Sequence, residues 1–199
     1  MMKNKLYTAA YPFVWAFMRI FHPWRSKGAE QLPEGGAVLC GNHTTLGDPL
    51  YVVCAMGRRR QTHVMAKAEI MTWPFLGWLL KTVGVIGIKR GKADVAAIKE
   101  CMRVLKKDEK LLLFPEGTRV KEGMTMEAHT GAAMFATRTG MPIVPIYIQP
   151  KKKLFRRTAV IFGQPYHPEF AGRKPTPEDY QRIADDLMVR IRKLGGERE

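Results

Sequence analysis

The run Ala37-Val38-Leu39-Cys40-Gly41-Asn42-His43-Thr44-Thr45-Leu46-Gly47-Asp48-Pro49 decides how the rest of the chain is read. Its first five residues are small or apolar without polar alternation, which suits a strand covered on both faces. Such a strand delivers Asn42 and His43 to its C-terminal end, the edge where open α/β sheets place their ligands. Asp48 before Pro49 predicts a helix with Asp48 at its N-cap and Pro49 at its first position. A compact turn between strand and helix returns Asp48 toward His43.

Working outward, short apolar runs recur at residues 63–66, 83–88, 110–114, 143–148 and 159–162. Helical patterns separate them, and this alternation predicts an α/β fold. Val95, Ile98, Met102 and Leu105 fall at helical spacing and predict a helix packed on the sheet. A last helix is expected to start with Thr176 as N-cap, Pro177 in the first turn and Asp179 in the capping-box position. It ends before Gly195 and Gly196.

The N-terminal stretch 6–24 is rich in aromatic residues, follows Lys3 and Lys5, and is interrupted by Pro12 and Arg19. Those breaks disfavour a spanning helix, and there is no small-residue site of the kind that ends a signal peptide. Trp and Phe beside Lys and Arg suit a helix lying in the plane of a lipid interface. A helix packed on the domain's own core is the other reading. The chain divides on this basis into a membrane-associating segment, 1–26, and a main domain, 27–199.

Lys plus Arg number 33 against 18 Asp plus Glu, a net charge of +15 over 199 residues. So large a bias points to a polyanionic partner: nucleic acid, an anionic lipid surface or a phosphorylated substrate. Cys40, Cys54 and Cys101 are widely spaced, with no CxxC, and read as buried small hydrophobes in a reducing compartment. The five histidines form no HExxH or Cys/His cluster, so no metal is expected.

An imidazole beside a carboxylate has its tautomer and orientation fixed, and its cation is stabilised once it has taken a proton. His43 and Asp48 therefore read as a general base, although a structural histidine and a helix cap would produce the same residues. Two further turns follow strand candidates. Ile86-Gly87-Ile88-Lys89-Arg90-Gly91-Lys92 sets three cations among glycines, and Phe114-Pro115-Glu116-Gly117-Thr118-Arg119 adds an arginine and a hydroxyl. Each resembles half of a phosphate cradle, because glycine admits the anion to backbone amides and Arg holds phosphate through paired hydrogen bonds. A solvated surface turn explains either alone.

Taken in order, these blocks resemble the bacterial type of 1-acyl-sn-glycerol-3-phosphate acyltransferase, also called lysophosphatidic acid acyltransferase. They are His43-x4-Asp48, Gly87 to Arg90, Phe114 to Arg119, and the Val144-Pro145-Ile146 strand, spanning residues 37–148. The resemblance implies a mixed, mostly parallel central sheet flanked by helices, with residues 27–199 as the acyltransferase domain. It implies that His43 deprotonates the glycerol sn-2 hydroxyl and Asp48 orients His43. Asn42, Gly87, Lys89, Arg90, Glu116, Gly117, Thr118 and Arg119 would line the substrate site. Lys67 would stabilise an oxyanion or hold phosphate. Trp73 to Leu80 would line an acyl groove or dip into lipid, or simply pack in the core.

One departure stands out: His129, in Glu127-Ala128-His129-Thr130-Gly131, occupies a place where the resemblance leads us to expect lysine. With no activated Ser or Cys near His43, direct transfer is favoured over an acyl-enzyme. The partners implied are a lysophospholipid acceptor, acyl-CoA or acyl-carrier protein as donor, and an anionic membrane surface at the cytoplasmic face of the cell membrane. The association would be peripheral or monotopic, and no cofactor is required. Nucleic acid is not an expected partner, since Lys151-Lys152-Lys153 with Arg156-Arg157 is a short basic run and no nucleic-acid-binding motif accompanies it.

Overall fold

The computed structural model describes residues 5–58, 61–74, 76–89, 94–117 and 128–196. The described strands are β1 (Trp24–Lys27), β2 (Ala37–Gly41), β3 (Thr62–Lys67), β4 (Ile86–Ile88), β5 (Lys110–Leu113), β6 (Ile143–Ile148) and β7 (Thr158–Phe162). They form one sheet in the order β1-β7-β6-β2-β5-β3-β4. The five strands from β6 to β4 are mutually parallel, whereas β7 runs antiparallel to β6 and β1 runs with β7. This is the mixed, mostly parallel sheet that the sequence implies.

Helices cover both faces. On one side α1 (Lys5–Phe21) and α2 (Asp48–Met56) pack through Met18, Tyr51, Val52 and Cys54 against Leu39, Leu112, Val144 and Ile146. On the other, α4 (Val95–Lys106), α5 (Gly131–Thr139) and α6 (Pro177–Leu194) meet Val38, Cys40, Leu111 and Ile143. Adjacent residues of β2 thus serve opposite cores, which is why the strand reads as an unbroken apolar run and all five of its residues are buried. A short helix α3 (Leu76–Thr82) follows a 3₁₀ turn at Ala68–Thr72 beyond β3.

Several expectations shift in detail. The strand candidate 83–88 is shortened to Ile86–Ile88, because residues 83–85 close α3 instead. Val85 N–H donates to Leu80 O and Gly84 N–H to Lys81 O, with Gly84 at φ 96°, the paired bonds of a Schellman cap. Along α4 the buried stripe is Ala97, Cys101, Val104 and Leu105, so Val95 faces solvent. The helix that starts α2 is capped by Gly47, with Asp48 as its first residue and Pro49 next. Strand β1 was not anticipated: only Trp24 of its four residues is buried, which leaves no alternating pattern to read. The division drawn between residues 26 and 27 falls inside it. Pro12 does not interrupt α1, which continues through it.

The start of α6 is the expected capping box: Thr176 accepts from the Asp179 N–H and the Asp179 carboxylate accepts from the Thr176 N–H. Replacing Thr176 by Ala should lower global stability by about 1 kcal/mol, measured as a shift of the urea midpoint at unchanged slope.

Candidate active site

The carboxylate of Asp48 is fully buried. A buried carboxylate must be surrounded by donors, and here the turn between β2 and α2 supplies most of them. Oδ2 accepts from His43 Nδ1 at 2.9 Å, Thr44 N–H at 2.7 Å and Thr45 N–H at 2.8 Å. Oδ1 accepts from Thr45 Oγ1 at 2.8 Å and Lys152 Nζ at 2.7 Å. Burial alone would raise this carboxyl, but the bonds from His43, Lys152 and Thr45 outweigh it and hold it at about 2. Asp48 is therefore ionised at neutral pH and can only accept. That fixes the proton of a neutral His43 ring on Nδ1 and leaves the lone pair on Nε2, which has no partner among the described residues.

Two further contacts hold the imidazole. Its face stacks on Phe114, with ring centroids 4.2 Å apart and planes 22° from parallel. Its backbone N–H donates to Glu116 Oε2 at 2.8 Å. Three successive amides, those of residues 43, 44 and 45, are thus aimed at two carboxylates. Burial raises the Glu116 carboxyl above the ordinary carboxylate range, the His43 N–H opposes this, and the neighbouring charge of Asp48 adds to the rise. The turn carrying Glu116 closes with Gly117 N–H donating to Phe114 O at 3.0 Å. Gly117 has φ 65°, a backbone shape that favours glycine, and a Cβ there would lie 2.2 Å from the His129 ring, which would have to turn aside. His129 N–H in turn donates to Pro115 O.

Because β2, β5, β3 and β4 are adjacent and parallel, their C-terminal ends share one edge. His43, Glu116, Gly117, Lys67, Gly87 and Lys89 all lie along it. Among them His43, Asp48, Glu116 and the Gly117 turn are in direct contact. Lys67 ends β3, is half exposed, and pairs with Glu69 at 3.2 Å. Lys89 is exposed, with its N–H donating to Asp94 Oδ2. Gly87 has a packing reason for lacking a side chain: a Cβ would lie 2.7 Å from Met71 Cγ. Asn42, expected among the substrate contacts, gives its Nδ2 to Ile148 O at 2.9 Å and takes the Ile148 N–H on Oδ1 at 2.7 Å. Its amide fastens β2 to β6 beneath the site. Arg90, Thr118 and Arg119 lie outside the described residues, as does Phe75 of the Trp73 to Leu80 run.

A family model described as acyltransferase matches residues 24–149, well over half of the chain. The chain belongs to the acyltransferase family. A chloroplastic 1-acyl-sn-glycerol-3-phosphate acyltransferase of Arabidopsis thaliana is 33% identical to it over 147 residues, covering 71% of this chain and 40% of that protein. A 1-acyl-sn-glycerol-3-phosphate acyltransferase of Bacillus subtilis is 30% identical over 139 residues, covering 67% of this chain and 69% of the relative. The chain therefore spans about two fifths of the plant protein and rather more of the bacterial one. The crystal structure of a 1-acyl-sn-glycerophosphate acyltransferase from Thermotoga maritima shares the fold, with a TM-score of 0.71 at 19% identity over 98% of this chain and 81% of that one.

Lys152 belongs to this candidate site although no motif in the sequence marks it. It sits in a basic run, yet its side chain is only 7% exposed and bridges Asp48 and Thr44 Oγ1, the latter at 2.7 Å. Spacing gave no signal, because more than a hundred residues separate Lys152 from Asp48. Only the reversal from β6 into β7 brings the loop over the site.

Removing one partner of a buried pair leaves the other charge without compensation. Lys152→Met is therefore expected to cost about 3 kcal/mol or more of unfolding free energy, whereas replacing exposed Lys153 should cost less than about 0.5 kcal/mol. The pH dependence follows from the depressed value of Asp48. Its contribution is present above the ordinary carboxylate value of 3.8 and is lost as pH falls through about 2. Denaturation curves from pH 5 downward should accordingly converge for wild type and Asp48→Asn as acid is added.

Proposed function

We propose that this chain transfers a fatty acyl group from an acyl thioester, acyl-CoA or acyl-carrier protein, to the sn-2 hydroxyl of 1-acyl-glycerol-3-phosphate, giving phosphatidic acid. The observation that carries the reading is the His43 ring at the ligand edge of the sheet, its Nδ1 proton committed to a buried, ionised Asp48 and its Nε2 without a partner among the described residues. In this reaction Nε2 accepts the hydroxyl proton as the oxygen bonds to the thioester carbonyl carbon. The tetrahedral intermediate then expels the thiolate, and the proton held by His43 returns to it. Lys67 stands at the same edge as the cation for the developing oxyanion or the substrate phosphate. Lys89, Arg90, Thr118 and Arg119 are assigned to the substrate phosphate by their motifs, and Glu116 and Gly117 shape the turn beside His43.

Direct transfer is supported by the chemistry of the thiols. Cys40, in the strand that leads to His43, is fully buried, and burial raises its pKa far out of the nucleophilic range. Membrane association is supported by α1. Tyr7, Tyr11 and Met18 face inward, with the Tyr11 hydroxyl donating to Cys54 O. Phe13, Phe17, Ile20 and Phe21 face outward and are exposed, Phe13 to 79%. A helix apolar on both faces needs an apolar neighbour on each, and a lipid interface provides the second. Among the described residues no helix is long and apolar enough to cross a membrane.

His129 favours a second acceptor reading. Its ring lies over Gly117 where a lysine was expected, so an acceptor with less demand for a phosphate cation, such as another lysophospholipid or a lyso-aminolipid, suits the same base.

Purified protein given acyl-CoA or acyl-carrier protein and lysophosphatidic acid in mixed micelles should form phosphatidic acid. His43→Ala should lower kcat at least ~10²-fold with the fold intact. Full activity in that variant, or no transfer with either donor, would sink the assignment. Exchanging lysophosphatidic acid for glycerol 3-phosphate or a lyso-aminolipid in the same assay ranks the acceptors.

A further inference from the structure

We infer that the loop between β6 and β7, residues 149–157, is a second contact with an anionic phospholipid surface, joined to the outer face of α1. Topology places it there. Strand β7 reverses direction, so its start at Thr158 lies at the same edge as the end of β6, and β1, parallel to β7, begins there at Trp24. The end of α1, the loop and His43 therefore share one end of the molecule. Phe155 N–H donates to Phe21 O at 2.8 Å, and the two rings lie 5.7 Å apart, making one apolar strip of the loop tip and the helix end.

The composition of the loop selects its occupant. Five of the seven residues 151–157 are Lys or Arg and none is acidic. Lys152 turns inward to Asp48, while Lys151, Lys153, Arg156 and Arg157 are exposed around the exposed pair Leu154 and Phe155. Apolar side chains ringed by cations match a surface with negative headgroups above hydrocarbon, whereas a protein groove or a nucleic acid would leave one of the two sets unused. Phe155 strengthens the point. It holds φ 58°, a left-handed conformation uncommon for a residue with a Cβ, yet the residue is 61% exposed. Core packing therefore does not account for a phenyl at a position better suited to glycine or asparagine.

The base of the loop is firm. Gln149 bonds Ala159 through its backbone N–H and its side-chain oxygen, and Lys152 is fixed on Asp48 and Thr44. The same loop that meets the lipid thus touches the residue that orients His43, so that docking sets the height of the base above the bilayer.

This inference rests on the lipid-surface reading of α1 proposed above, and it is tested without any acyl donor, so its outcome is separate from that of acyl transfer. The full chain is sedimented with vesicles of phosphatidylcholine alone or mixed with phosphatidylglycerol. Wild type should partition onto the anionic vesicles and weaken as salt is added. Leu154→Ser/Phe155→Asn should bind them roughly tenfold less. Arg156→Gln/Arg157→Gln should lose about tenfold and much of the salt dependence. Both variants should melt like wild type. Wild-type partition in either variant overturns the inference. A direct reading uses Phe155→Cys carrying a polarity-sensitive fluorophore, since the native thiols are buried. Its emission should shift to the blue on anionic vesicles, and an unshifted label on bound protein overturns the inference equally.

Discussion

The Asp48 carboxylate is the point on which the rest of the site is built. A fully buried negative charge survives only if its oxygens are supplied with donors, and five donors from two parts of the chain, the turn 43–45 and Lys152, supply this one. Satisfying it forces the turn at residues 43–48 into one shape. It also assigns the His43 tautomer and draws the loop after β6 across the sheet edge. In the reaction proposed for this site, a proton taken up by His43 would meet donors and a carboxylate already oriented to stabilise it.

The sheet supplies the remaining order. Five parallel strands end at one edge, so His43, the carboxylates beside it and the cations Lys67 and Lys89 at the ends of β3 and β4 are gathered there. The Asn42 amide, bonded both ways to Ile148, extends the β2–β6 pairing past the last true strand residue. It holds level the platform from which His43 projects.

Much of this was legible in the sequence, and the residues show why. Ala37 to Gly41 and Ile143 to Ile148 are buried on both faces, so their composition alone announces parallel strands. Thr176 and Asp179 announce a helix start through a local bond pattern. What was not legible depends on neighbours remote in sequence. Lys152 looks like any surface lysine until Asp48 is placed beside it. Gly87 reads as an anion-binding glycine until Met71 is seen to fill its missing side chain. Residues 83–85 are apolar enough for a strand, but Gly84 lets them finish α3 first. Asn42 stands next to the base and reads as a ligand contact, whereas its partner is 106 residues away.

The sheet ends on β1, four residues with exposed Arg25 and Lys27, and on β4, three residues followed by Lys89. An unpaired strand edge invites the edge of another molecule, and the hazard grows with the length and flatness of the run. Here a neighbouring strand would find few consecutive amides to pair with and a positive charge beside them. Docking on lipid, as proposed above, would raise the local concentration of copies greatly. Short, basic borders let such copies crowd together without merging their sheets.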